Sequence, residues 1–151
     1  DSPVIAADGE GRIHIVYPGN GTSPKTGKSV ASSFYSRSMN GGQQFEEPIK
    51  LNGDPDEDLS ALIMGGLAQA QVFTAMAVSE KGVIHTFWLD TRGMTESMRA
   101  ALYYRRSDDG GARFEEEVRL QENDQCPCCQ VSAVTSGQSS LFVSLSLTLL
   151  V

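Results

Sequence analysis

The chain has 151 residues, of which 40% are hydrophobic and 21% charged, a composition typical of a folded globular protein rather than a disordered one. Its formal net charge of −7 argues against a broad basic surface, and therefore against binding to nucleic acid or to anionic membranes. The longest apolar run, at 141–151, is interrupted by serine and threonine and is too short for a transmembrane helix, so no membrane span is predicted.

In chain order, the sequence predicts short strands separated by turns rich in glycine, aspartate and asparagine. Residues 12–17 and 83–89 show the clearest pattern, because β-branched and aromatic residues alternate there with other side chains. Longer loops are predicted at 18–30, 52–70, 89–99 and 121–128. The predicted strands lie near 3–7, 12–17, 31–37 and 46–51, then near 71–78, 83–89, 100–106 and 115–120, and finally near 129–134 and 141–143.

The sequence repeats itself with a period of about 70 residues. The segment from Tyr35 to Leu51 aligns without a gap with the segment from Tyr104 to Leu120, and most of their polar and aromatic residues are identical. The segment from Gly11 to Tyr17 aligns with that from Gly82 to Trp88. Two matches at nearly the same spacing indicate tandem copies of one four-stranded antiparallel unit, a pattern typical of the blades of a β-propeller.

Each repeat contains a polar turn in which glycine allows positive φ angles and Asn, Asp or Ser side chains accept backbone hydrogen bonds. The aromatic residue that follows each turn is expected to bury its ring under the sheet. These turns resemble the Asp-box of sialidases and related BNR-repeat proteins, which is a structural element away from the active site. The two copies are Ser38-x-Asn40-x-Gly42-x-x-Phe45 and Ser107-x-Asp109-x-Gly111-x-x-Phe114.

The resemblance implies an all-β fold, a partial β-propeller with two four-stranded antiparallel blades at about 3–51 and 71–120 and the start of a third at about 129–151. These blades are too few to close a ring, and the parent protein is expected to have six. Family members bind their substrate at the end of the propeller opposite the Asp-box turns. Any site in this chain is therefore expected among the longer loops.

The ligand-binding candidates are Asp90 and Arg92, which follow the second predicted strand of the second repeat. Together with Trp88 they resemble the Trp-x-Asp-x-Arg element of many such repeats. An arginine there can clamp a carboxylate, which is the group that a sialic acid presents. Alternatively, Asp90 and Arg92 pair with each other and brace the loop. The family's catalytic set of three arginines, a Tyr with a neighbouring Glu and an Asp cannot be placed on this sequence, so no catalytic residue is assigned.

Two further segments suggest metal ions. The three cysteines lie together as Cys126-Pro-Cys128-Cys129, and clustered thiolates suit a soft metal such as Cu or Zn. The alternatives are a disulfide or buried thiols. The acidic run at 54–58 suggests a Ca site, but it lacks the frame of a calcium-binding loop and favours a solvated loop.

Two hypotheses follow. In the first, the chain is a segment of an extracellular or periplasmic sialidase-like protein that binds glycans and, in the full-length parent, hydrolyses them. The segment alone would then be inactive, because the site needs the remaining blades of the parent propeller. In the second, the protein is a non-catalytic BNR-repeat propeller used for binding or scaffolding, with a metal at the cysteine cluster.

Overall fold

The computed structural model describes residues 3–22, 24, 27, 29–53, 74–90, 99–121, 125, 129–136 and 140–147. These ranges contain strands, turns and bends but no helix, and hence none that could cross a membrane. The strands are β1 (Val4–Ala7), β2 (Ile13–Thr22), β3 (Ser29–Ser38), β4 (Ile49–Lys50), β5 (Thr74–Val78), β6 (Ile84–Asp90), β7 (Ala101–Ser107), β8 (Val118–Arg119), β9 (Cys129–Ser136) and β10 (Ser140–Leu147).

The strands form antiparallel sheets in which neighbours in sequence are neighbours in space. The first sheet has the order β1-β2-β3-β4, and the second sheet has the equivalent order β5-β6-β7-β8. The third sheet consists of β9 and β10, paired antiparallel over eight residues. The all-β, antiparallel class predicted from the repeat is confirmed.

The sheets pack face to face in chain order. Val16 of the first sheet lies in one buried cluster with Met76 and Trp88, which belong to the near face of the second sheet. The other face of the second sheet contributes Phe87 to a second cluster that contains Val131 of β9. Each such apolar side chain stabilises the fold by roughly 1.5–3 kcal/mol when it is fully buried. The second sheet is therefore covered on both faces.

The hairpin between β2 and β3 is longer than predicted. The expectation of a loop over 18–30 is wrong, because the ladder continues to the pair Thr22–Ser29. The Pro-Gly-Asn-Gly sequence at 18–21 is typical of a turn, yet it is accommodated in a strand. A side chain at Gly19 would come within 3.1 Å of the Phe34 ring, so glycine leaves room for that ring to lie across β2.

The fourth strand of each four-stranded sheet is shorter than predicted, two residues instead of six. Glu46 N donates to Arg37 O at 2.9 Å, but the ladder resumes with Tyr35 opposite Ile49, which is a shift of one residue in the pairing register. The second sheet shows the same shift after the bond from Glu115 N to Arg106 O. A shift of this kind is a β-bulge, which interrupts the regular ladder.

Candidate functional site

The strand connections divide the first two sheets into two ends. At one end, which we call the turn end, lie the connections at 8–12, 39–48, 79–83 and 108–117. At the opposite end, which we call the loop end, β2 and β6 finish and β3 and β7 begin. The chain enters and leaves the longer connections from the loop end, which is where ligand sites are usually built.

Asp90 is the last residue of β6 and lies at the loop end. It is buried, and its Oδ2 accepts a hydrogen bond from Trp88 Nε1 at 3.2 Å. The Trp88 ring is itself buried and stacked on Tyr103. Asp90 is therefore fixed where the chain leaves the strand. Arg92 lies outside the described residues, so both its pairing with Asp90 and its binding to a ligand remain predictions.

Cys129 is the first residue of β9 and carries a free, buried thiol. It packs among apolar side chains that include Phe87 and Leu89 of the second sheet, an environment typical of a structural thiol. Cys126, Cys128 and the acidic run at 54–58 lie outside the described residues. Within the part of the chain that the structure describes, no group of three or more His, Cys, Asp or Glu side chains is arranged to hold a metal ion.

The first polar turn, residues 38–45, is closed by side-chain hydrogen bonds to the backbone. Ser38 Oγ accepts a bond from Gly42 N and donates one to Asn40 Oδ1, both at 2.9 Å. Asn40 Oδ1 also accepts a bond from Gln44 N at 2.9 Å. The Ser38 and Asn40 side chains are therefore hydrogen-bonded within the turn itself.

The second polar turn, residues 107–114, repeats these bonds with Asp109 in place of the asparagine. Asp109 Oδ1 accepts bonds from Ser107 Oγ and from Arg113 N at 2.9 Å. The N–H of Arg113 is the main cause that lowers the pKa of Asp109. Asn and Asp are interchangeable at this position because the turn uses only an oxygen acceptor.

The aromatic residues after the two polar turns differ in burial. The Phe114 ring packs edge to face on Tyr35 of the first sheet, with 4.8 Å between ring centroids. Phe45 is 39% exposed and Phe114 is partly buried, so the expectation that both rings are buried is wrong for Phe45 and holds only in part for Phe114. Phe114 is covered because its ring packs on the sheet that precedes its own. No described element precedes the first sheet.

A buried polar network at the turn end was missed by the sequence analysis. Asp8 Oδ2 accepts hydrogen bonds from Arg12 Nε and from His14 Nε2. His14 Nδ1 lies 2.7 Å from the Tyr35 hydroxyl oxygen. Because a carboxylate only accepts, we assign the ring proton to Nε2, and Tyr35 then donates to Nδ1.

The pKa values in this network are shifted by burial and by the hydrogen bonds. Burial by itself would raise the pKa of Asp8, but the bonds from Arg12 and His14 outweigh it and lower that pKa to about 2. Burial lowers the pKa of His14 although Asp8 opposes the change, and burial raises the pKa of Tyr35. At neutral pH the network therefore holds one ionised carboxylate, one guanidinium and a neutral imidazole.

The turn end joins the first two sheets directly. Arg37 Nη1 donates to Gly110 O at 2.7 Å, and Gly9 N donates to Glu80 O at 3.0 Å. The Arg12 guanidinium lies so close to Gly82 and Gly110 that any side chain there would overlap it. This end is occupied by contacts between sheets, which leaves the loop end as the candidate ligand site.

The His–Tyr pair of this network could have been recognised from the repeat in the sequence. A His and a Tyr recur at equivalent strand positions in both repeats, and both pairs are hydrogen-bonded at 2.7 Å, His14 with Tyr35 and His85 with Tyr104. Asp8 and Arg12 had no such signal, because the aligned residues of the second repeat are Ser79 and Val83.

Comparison with known proteins gives a structural match. No family model and no curated protein matches the sequence. Among solved structures, the chain is similar to the Hadza microbial sialidase Hz136, with a TM-score of 0.59 and 21% sequence identity. The match covers 88% of this chain and 29% of that sialidase, so the chain spans less than a third of its length. The similarity shows a sialidase-like fold.

Proposed function

We propose that the chain is a segment of a sialidase-like β-propeller that binds glycans at its loop end. The observation that carries the proposal is the structural match to a microbial sialidase over 88% of the chain. The first and second sheets, which share one topology and stack in chain order, then represent consecutive blades, and β9 and β10 begin a third. A longer parent of six blades, extracellular or periplasmic, completes the ring.

The ligand that suits this site best is an acidic sugar. Asp90 is held at the end of β6 by its hydrogen bond with Trp88, and Arg92 follows it by two residues in the sequence. A guanidinium can bind a sugar carboxylate through two parallel hydrogen bonds. In the full-length parent, hydrolysis of the glycosidic bond would use acidic or tyrosine side chains from blades outside this segment.

A second candidate function is a non-catalytic propeller for binding or scaffolding. Each tyrosine of the chain is stacked on a neighbouring ring within its own sheet, an arrangement that fits a scaffold better than a nucleophile. A Cu or Zn ion at Cys126, Cys128 and Cys129 belongs to this hypothesis, and metal analysis of protein purified without chelator tests it. The stacked pairs are Tyr17 with Phe34, Tyr35 with His14, Tyr103 with Trp88 and Tyr104 with His85.

The test of glycan binding is Arg92→Ala in the full-length parent. We expect the affinity for a sialylated trisaccharide, measured by calorimetry, to fall about tenfold or more, because a charged hydrogen-bonding pair is lost. The matched control is Arg113→Ala, since Arg113 is 89% exposed in a turn at the turn end. Equal affinities of the wild type and Arg92→Ala would assign Arg92 to bracing the loop.

The same parent distinguishes the two candidate functions. Release of free sialic acid from a fluorogenic sialoside would support the hydrolase. Saturable binding of the trisaccharide without any release would support the non-catalytic propeller.

A further inference from the structure

Three asparagines of the chain are each followed by glycine, at 20–21, 40–41 and 52–53. In such a pair the backbone nitrogen of the glycine can attack the side-chain amide carbon of the asparagine, because glycine has no side chain to obstruct closure of the ring. The ring that forms is a succinimide, which water opens to a carboxylate. The surroundings of the three pairs differ, and they decide where this reaction is favoured.

The pairs at 52–53 and 20–21 are held against the reaction. Asn52 is only 5% exposed, its Oδ1 accepts a bond from Ser33 N at 3.0 Å, and its Nδ2 donates to Gly53 O at 3.1 Å. Asn20 is exposed, but it lies in the ladder of β2 and β3 opposite Ala31. Ring closure at Asn20 requires rotation of an extended backbone, and strand pairing is then lost.

The pair at 40–41 lies in the first polar turn, where both residues are exposed. Within the described part of the chain, the N–H of Gly41 has no hydrogen-bond partner. Asn40 Oδ1 accepts bonds from Ser38 Oγ and from Gln44 N, both at 2.9 Å. Two donors on this oxygen stabilise the negative charge that develops on it when a nucleophile attacks the amide carbon. The turn therefore leaves the nucleophile free and activates the carbon that it attacks.

The second polar turn shows that a carboxylate fits this position. Asp109, which aligns with Asn40, accepts the equivalent bonds from Ser107 Oγ and Arg113 N. The Asp109 side chain is 37% exposed although its turn is docked on the first sheet through Arg37. Docking of a polar turn on a neighbouring sheet thus leaves this position accessible to solvent.

We propose that Asn40 is a site of spontaneous deamidation, which converts the first polar turn into the aspartate form found in the second. The Gly41 nitrogen loses its proton to solvent and forms a bond to Cγ of Asn40, while the side-chain amide takes up a proton and leaves as ammonia. Water then opens the succinimide at Cγ to give aspartate, or at the backbone carbonyl to give isoaspartate. Of these two products, only aspartate keeps the length of the backbone and the hydrogen bonds of the turn.

The experiment is incubation of the full chain at mildly alkaline pH, followed by peptide mapping by mass spectrometry, which locates the change of mass from amide to acid. We expect Asn40 to convert faster than Asn20, and about tenfold or more faster than Asn52, because Asn52 reacts only when the fold opens locally. The urea-unfolded chain is the matched control, since the three pairs then share the same local chemistry and should convert at similar rates. Conversion of Asn20 or Asn52 in the folded chain as fast as that of Asn40 would overturn the inference.

Two variants test whether the turn accepts the product. Asn40→Asp should unfold at the same urea concentration as the wild type or at a higher one, because an ionised acceptor strengthens the bonds that Asp109 makes in the second turn. Asn52→Asp is the matched control, and it should unfold at a lower concentration, because it replaces the donor to Gly53 O by an acceptor. A loss of stability in Asn40→Asp as large as that in Asn52→Asp would contradict conversion to the aspartate form.

Discussion

His14 and His85 show how one residue type at equivalent positions acquires different surroundings. His14 is fully buried and faces Asp8 and Arg12 from its own hairpin and Tyr35 and Arg37 from β3. His85 is partly exposed and has no carboxylate at the position of Asp8. The pKa of each is lowered mainly by burial, with Asp8 opposing the shift at His14 and Arg106 adding to it at His85.

These shifts predict an acid-sensitive fold. The pKa of both histidines lies below 6.5, the value of an unperturbed side chain, so the unfolded chain binds more protons once the pH falls below about 6.5. The free energy of unfolding should therefore be highest above this pH and fall with acid, by up to about 1.4 kcal/mol per pH unit for each proton. The free energy of unfolding should fall further below pH 3.8, the unperturbed pKa of Asp8, because the folded state keeps this carboxylate ionised to lower pH than the unfolded chain does.

Urea unfolding across this pH range is the measurement. His14→Gln should reduce the slope of the free energy of unfolding against pH. His85→Gln should remove only the part of that slope that His85 contributes and leave the part due to His14. A slope that neither substitution changes would contradict the attribution of the acid sensitivity to His14 and His85.

At the scale of the element, the two polar turns have the same internal hydrogen bonds but different neighbours. Gly42 and Gly111 hold aligned positions with φ of +88° and +85°. A side chain at Gly42 would meet only Ile13 Cδ1, at 3.3 Å, whereas one at Gly111 would overlap the Tyr35 hydroxyl and ring. A side chain would therefore meet the same unfavourable backbone conformation at both positions, but it would meet close neighbours only at Gly111.

This pair of glycines gives a matched test of the contact between sheets. Gly42→Ala should lower the free energy of unfolding by about 1–2 kcal/mol, the cost of a left-handed conformation for a side chain. Gly111→Ala should cost about 1–3 kcal/mol more, because Tyr35 must move as well. Urea denaturation of both variants measures the difference. Equal losses would show that Gly111 and Tyr35 do not form this close contact in solution.

The elements themselves were largely readable from the sequence. Every predicted strand overlaps an observed one, because alternation and turn residues act over a few positions. The sequence did not reveal the extension of β2 and β3, where Gly19 makes room for Phe34, a residue of the neighbouring strand. Nor did it reveal the bulge after Glu46, because register depends on which groups of β3 the fourth segment reaches.

At the scale of the whole molecule, the three sheets differ in how much of their surface is covered. The second sheet packs against the first sheet on one face and against β9 on the other. Among the described residues, the first sheet has four strands and packs against the second sheet, and the third sheet has two strands and packs against the other face of the second. Stability is therefore expected to differ along the chain.

Amide hydrogen exchange tests this order. We expect the amides of β6 and its partners to exchange most slowly and those of β9 and β10 most rapidly, because the third sheet has only two described strands and packs against the second sheet through β9. The first sheet serves as the internal control, with one covered face but four strands. Exchange of β9 and β10 at the rate of β6 would contradict the order.

The sequence by itself determined the repeat, the strands and the chemistry of the polar turns, because each depends on residues close together in the chain. Ser38 and Gly42, which close one turn, are four positions apart. Tertiary structure decided which aromatic ring is covered by a neighbouring sheet and which polar groups of the two sheets meet, because those contacts join distant residues. Arg37 and Gly110 are 73 positions apart, and Phe114 is covered only because the first sheet stands beside it. Phe45 follows the same motif, but none of the described residues forms a sheet before the first one, and local sequence carries no information about such a neighbour.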